Sequence, residues 1–125
     1  MYSLIIFGSL LSGCQKEITV MTAEGMLSNK IWYLEKKTTP TTSYIYTGVS
    51  TFSFRLQKDN KYYIDTDGII GNYSVTEQPA DISLNVTANG RLIDAYNVTQ
   101  LEKDHVVMEY SKNNVLNTFY FSTRP

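Results

Sequence analysis

Two short segments alternate apolar and polar side chains without a break, and this period of two constrains the chain more than any other feature. Thr51 to Gln57 (TFSFRLQ) places Phe52, Phe54 and Leu56 on one face and Ser53, Arg55 and Gln57 on the other. Asp81 to Thr87 (DISLNVT) sets Ile82, Leu84 and Val86 against Asp81, Ser83, Asn85 and Thr87. Successive strand side chains point to opposite faces, so the pattern describes antiparallel sheet with one buried and one wet face. Turn chemistry falls between the β-rich runs. Lys58-Asp59-Asn60-Lys61 precedes Tyr62-Tyr63-Ile64, and Glu102 to Asp104 and Ser111 to Asn114 are polar breaks. Asp67-Gly68 and Asn89-Gly90 supply residues that tolerate positive φ, as tight hairpins require. About nine strands are predicted between residues 30 and 123, at a spacing of roughly 8–12 residues. No helical stretch separates them, which disfavours a βαβ architecture. Open sheet edges invite aggregation, so the meander either closes into a barrel or packs as a sandwich; the expectation is an all-β, small antiparallel meander barrel of about eight to nine strands.

Composition removes several functions. The chain has 125 residues, enough for one ordinary domain. Eleven Lys and Arg against twelve Asp and Glu leave no extended positive field, so no nucleic-acid partner is expected. One Cys forbids an internal disulfide, and one His with one Cys cannot build a His/Cys zinc cage. No metal and no cofactor is expected.

The N-terminal segment reads as an address. Met1 to Gly13 (MYSLIIFGSLLSG) carries no charged side chain, with an apolar run from Leu4 to Leu11. As a helix that run spans only about 12 Å of a ~30 Å hydrocarbon core, too little to cross a membrane but suited to the apolar region of a secretory signal. Leu11-Ser12-Gly13-Cys14 resembles the lipobox of bacterial lipoproteins: an aliphatic residue, two small ones and a Cys. The resemblance implies a signal peptide over residues 1–13, cleavage before Cys14, and acyl groups on its sulfur and new amine. Residues 14–26 are then the lipidated Cys and a tether, although Ala23 to Ser28 has the makings of one helical turn, weakened by Gly25. Two or three acyl chains hold a protein firmly where one holds it marginally. The location implied is the outer membrane of a Gram-negative cell, on its periplasmic face or the cell surface. The polar run Gln15-Lys16-Glu17 partly resembles a surface-export signal.

From residue 27 to 125 the order of motifs resembles the lipocalin-like domains of exported bacterial lipoproteins. The matching pieces are Leu27 with Lys30-Ile31-Trp32, Thr51-Phe52-Ser53-Phe54, Asp59-Asn60-Lys61-Tyr62-Tyr63 and Gly71-Asn72-Tyr73-Ser74-Val75. Asp81-Ile82-Ser83-Leu84 and Phe119-Tyr120-Phe121 complete the set. What the resemblance implies is the barrel; a function does not follow from a fold.

Little in the sequence points to catalysis. His105 beside Asp104 reads as a solvent-facing residue next to a turn, with no G-x-S-x-G elbow to accompany it. Asp65, Asp67, Glu77 and Asp81 are the nearest carboxylates, but Asp67 and Asp81 stand where turns use Asp for backbone hydrogen bonds. Asp59, Asp65 and Asp67 lack the spacing of a calcium loop. The sequons at Asn72, Asn85 and Asn97 are expected by chance in a chain rich in Asn, Ser and Thr.

The aromatic residues are the remaining candidates. Trp32, Phe52, Phe54, Tyr73, Tyr96, Phe119 and Phe121 are expected to face the barrel interior, with core packing as their first role. Trp32, Phe54, Tyr73 and Tyr96 are the candidate ligand-binding residues, and Tyr44 and Tyr46 are expected to be ordinary edge-strand tyrosines. The functional expectation is a lipid-anchored cell-envelope binding or interaction module, not an enzyme, with a protein or a small apolar ligand as partner. Its alternatives are a carrier of a small apolar ligand inside the barrel and an envelope hydrolase working through carboxylates.

Overall fold

The computed structural model describes residues 22–46, 52–79 and 81–124. The lipobox, Cys14 and the first part of the tether lie outside the described residues, as does Thr51. Nine strands follow one short helix: α1 (Ala23–Leu27), β1 (Ile31–Thr38), β2 (Ser43–Ile45), β3 (Ser53–Gln57), β4 (Tyr62–Asp65), β5 (Gly68–Gln78), β6 (Asp81–Ala88), β7 (Arg91–Leu101), β8 (His105–Lys112) and β9 (Val115–Ser122). Among the described residues no helix is long and apolar enough to cross a membrane.

The sheet runs β2-β1-β3-β4-β5-β6-β7-β8-β9 with every pairing between these strands antiparallel, and β1 also pairs with β9. That last pairing, from Tyr33↔Ser122 to Thr38↔Thr118, closes β1 and β3 to β9 into a barrel. β2 is the extra strand. It lies in line with β3 on the same edge of β1: Lys36 to Thr38 pair with β2, Ile31 to Tyr33 with β3. Between them, Tyr46 N–H donates to Glu35 C=O at 2.8 Å and Leu34 N–H donates to Phe52 C=O at 2.9 Å.

The alternation expected from sequence is the alternation seen. Phe54, Leu56, Leu84 and Val86 are all buried, and with Trp32, Leu34, Tyr63, Tyr73, Val106, Met108 and Phe121 they make one core. Phe52 shares their face yet is 37% exposed, because it stands at an end of the barrel, not in the middle. The hairpins use the residues their geometry demands. Asn89 and Gly90 both adopt positive φ, 54° and 76°, and Asn113-Asn114 does the same at 53° and 63°.

The two ends of the barrel differ. At the end where β1 begins, α1 lies across the opening. The helix forms despite Gly25 because Thr22 caps it, its Oγ1 accepting from Gly25 N–H at 3.0 Å, and because Ala23 and Leu27 are buried. Residues 23–26, placed with the tether by sequence, therefore pack onto the barrel. Trp32 Nε1 donates to Leu27 C=O at 2.9 Å, Ala23 N–H donates to Glu77 Oε1 at 3.0 Å, and Tyr73 Oη donates to Glu24 Oε2 at 2.8 Å. Lys61 pairs with the same Glu24 carboxylate. Its ammonium first, with Tyr73's hydroxyl assisting, holds that carboxyl below its ordinary range against partial burial. The opposite end, formed by the β1–β2, β4–β5, β6–β7 and β8–β9 turns, carries no helix among the described residues.

Candidate functional site

Above the packed floor the interior opens into a cup. A cavity of about 260 Å³ is lined by Leu34, Lys37, Tyr46, Phe52, Tyr63, Tyr96, Met108, Phe119 and Phe121. Six of these nine side chains are aromatic. The rings form one connected set. Phe54 meets Phe121 edge to face at 4.9 Å and stacks on Tyr63 at 5.7 Å, making the floor. Phe119 links Phe121, at 6.3 Å, to Tyr96, also at 6.3 Å, along one wall. Tyr96 in turn lies 5.4 Å from Tyr110 nearer the rim.

Two phenols face each other within the cup. Tyr63 comes from β4 and Tyr96 from β7, with β5 and β6 between them in the sheet. Burial first, then the neighbouring Tyr96 and the carboxylates of Asp65 and Asp94, pushes the Tyr63 phenol far above its ordinary range. Burial first, then Asp94, does the same to Tyr96. Both therefore stay neutral across the physiological range and keep a hydroxyl proton to donate. Among the described residues Lys37 is the cup's one cationic lining residue, and its ammonium also sits 5.9 Å from the ring centre of Tyr44. It faces inward because of a β-bulge: the register of β1 against β9 shifts between Leu34 and Lys36, so Lys37 pairs with Phe119 and shares its face.

Of the residues singled out by sequence, Tyr96 lines the cup. Trp32, Phe54 and Tyr73 are 0%, 2% and 4% exposed and belong to the packed region between floor and helix. There Trp32 is bonded to Leu27, and Tyr73 to Glu24. The lining residues that sequence reasoning did not find are Leu34, Lys37, Tyr46, Tyr63 and Met108. Only Leu34 carried a local signal, two residues along the strand from Trp32.

The carboxylates singled out by sequence do not gather. Asp65 Oδ1 accepts from Asp67 N–H at 2.7 Å in the β4–β5 turn, whereas Asp59 lies in the β3–β4 turn at the helix end. Glu77 is engaged with the start of α1 at that end too. His105 is exposed at the start of β8, where its carbonyl accepts from Glu102 N–H at 2.8 Å. Among the described residues no three of His, Cys, Asp and Glu come together as a metal-binding group. The cup is thus a concave, mostly apolar site lined by three tyrosines and one lysine, with the Asp65 and Asp94 carboxylates close enough to act on Tyr63 and Tyr96, an arrangement suited to holding a compact apolar group with a small polar end. Comparison with protein-family models, with curated proteins and with solved structures returns no match, so the reading of this site rests on its own geometry.

Proposed function

We propose that the chain is a lipid-anchored binding module of the bacterial cell envelope, without catalytic chemistry of its own, and that the cup is its binding site. The observation that carries this reading is the aromatic-lined cavity behind an open mouth. At about 260 Å³ it falls just below the usual range for small-molecule sites, roughly 300–1,000 Å³, so it takes a compact group and not a whole lipid. An apolar ring or the end of an acyl chain fills it, and Lys37 with the tyrosine hydroxyls orients the polar end. The lipobox resemblance supports the anchor, and the anchor would confine the barrel to a membrane surface, where even a weak contact gains from a raised effective concentration.

The cup is tested with N-phenyl-1-naphthylamine, a compact apolar fluorophore. Saturable enhancement of the dye is expected, with energy transfer from Trp32, the only tryptophan in the chain. Lys37→Phe narrows the entrance without touching the buried core and is expected to weaken the dye at least about tenfold, a loss of ~1.4 kcal/mol. Absence of transfer from Trp32 would remove the cup as the site. The anchor is tested separately by the intact mass of protein extracted from membranes. Loss of residues 1–13 and gain of acyl groups are expected, and Cys14→Ser is expected to release the protein from the membrane fraction. A full-length, unacylated mass would overturn the anchor and leave the cup standing.

A further inference from the structure

The large apolar side chains that the barrel leaves in water are concentrated at its open end. Among the described residues, Ile31 is the one such side chain at the helix end; Tyr44, Ile45, Phe52, Ile69, Leu92, Ile93, Val115 and Leu116 all lie at the mouth. Ile45 is 77% exposed, Leu92 62% and Ile69 61%. Scattered exposed apolar residues are ordinary on a soluble protein, whereas a ring of them around one opening needs a physical reason.

The charges among them narrow the choice of partner. Going round the mouth, three neighbouring hairpins repeat one combination of a cation beside exposed apolar side chains. The β6–β7 hairpin offers Arg91 next to Leu92 and Ile93. The β8–β9 hairpin offers Lys112 opposite Val115, with Leu116 adjacent. In the β1–β2 hairpin, Lys36 pairs with Ile45 and Lys37 with Tyr44. The fourth hairpin carries Asp65 and Asp67 beside Ile69, and Asp94, next to Ile93 on β7, adds a carboxylate close enough to the cup tyrosines to act on them.

We infer that the mouth of the barrel docks on an anionic lipid surface. A protein interface concentrates its apolar contact in a continuous dry centre and moves charge to the edge. Here the centre is the hole of the cup, and the apolar residues are separate tips with cations between them, so a flat protein partner would leave the middle unfilled. A second copy of the chain would bring two arcs of like charge face to face. A fluid bilayer closes around separate tips at different heights, takes their aliphatic ends below the headgroups and pairs the Lys and Arg side chains with lipid phosphates. Docked in this way, the mouth receives an acyl end or another apolar group without exposing it to water. The inference rests on the rim alone and needs neither the anchor nor a ligand in the cup.

The test uses the full chain with Cys14→Ser, which has no thiol to acylate. Single cysteines replace Leu92 at the mouth or Asp59 at the helix end and carry a nitrobenzoxadiazole fluorophore. Vesicles of phosphatidylethanolamine with phosphatidylglycerol are compared with vesicles of phosphatidylcholine. The label at position 92 is expected to shift to the blue and brighten on the anionic vesicles, while the label at position 59 stays water-like. Arg91→Gln together with Lys112→Gln, both exposed, is expected to weaken the anionic binding about thirtyfold, the effect of two basic contacts at headgroup level. Three results would each overturn the inference: a position-92 label that stays in water on every vesicle, whatever else recruits the protein; equal binding to both lipid mixtures; or a blue shift that grows with protein concentration when no vesicle is present, which would assign the rim to a second copy.

Discussion

Trp32→Ala is expected to be the most damaging single substitution in the barrel, costing about 3–5 kcal/mol through the cavity it leaves. The indole is fully buried, and its Nε1 is the partner of the Leu27 carbonyl at the end of α1. Removing it therefore also orphans a buried acceptor, a further loss of roughly 1–3 kcal/mol. Small domains hold only ~5–15 kcal/mol in total, so much of the variant should be unfolded at body temperature. Trp32→Phe separates the two contributions, because it keeps an aromatic ring in place and removes only the N–H donor and part of the volume. Urea unfolding followed by far-UV circular dichroism measures both variants without relying on the lost fluorophore. The expected order of stability is wild type, then Phe, then Ala, with faster amide exchange in α1 for both variants. A loss below about 1 kcal/mol for Trp32→Ala would mean that the closed end is not held by this residue.

Gly71→Ala is expected to rank next, although it adds a single methyl group. A Cβ at that position would sit 2.2 Å from Thr87 O and 3.1 Å from Thr87 C, with Ala88 Cβ at 3.3 Å. Backbone atoms of the neighbouring strand cannot rotate away as a side chain can, so β5 and β6 must part where Asn72 pairs with Thr87. The cost is steric and belongs at the upper end of the overpacking range, about 3 kcal/mol. The urea midpoint should fall with an unchanged denaturant slope, and amide exchange should quicken in the upper β5–β6 ladder before it does elsewhere. A midpoint within error of wild type would show that the two strands have room to separate.

How much of this was legible in the sequence depends on whether the signal was local. The faces of β3 and β6 were readable because alternation is a property of consecutive residues, and Phe54, Leu56, Leu84 and Val86 all turn inward. Asn89-Gly90 was readable because few residues accept positive φ. Depth along the barrel axis was not. Alternation says that Phe52, Phe54 and Tyr96 face in, but strand stagger decides that Phe54 lies in the floor while Phe52 and Tyr96 reach the cup. Lys37 was hidden for a sharper reason. Counting in twos from Trp32 and Leu34 puts Lys36 inside, and the bulge at Glu35 reverses the count. The split between β2 and β3 also leaves no local trace, since both halves lie against β1 and only the paired register shows them as one edge.

Nearly all the pairing in this barrel joins strands adjacent in sequence, and the one distant seam runs between β1 and β9. Each hairpin can zip on its own, so the seam is the step that carries the long loop-closure cost during folding. Both strands bordering the seam have their outer ends beside α1, so a short linker there could join Arg124 to Thr22, the last and first described residues, while the chain is reopened at Asn113-Asn114. The resulting circular permutant would turn the seam into an ordinary hairpin and make one of the present hairpins the new seam, with the same set of strand neighbours. It should reach the same barrel by a different order of assembly, leaving the cup in place and moving the chain ends to its mouth.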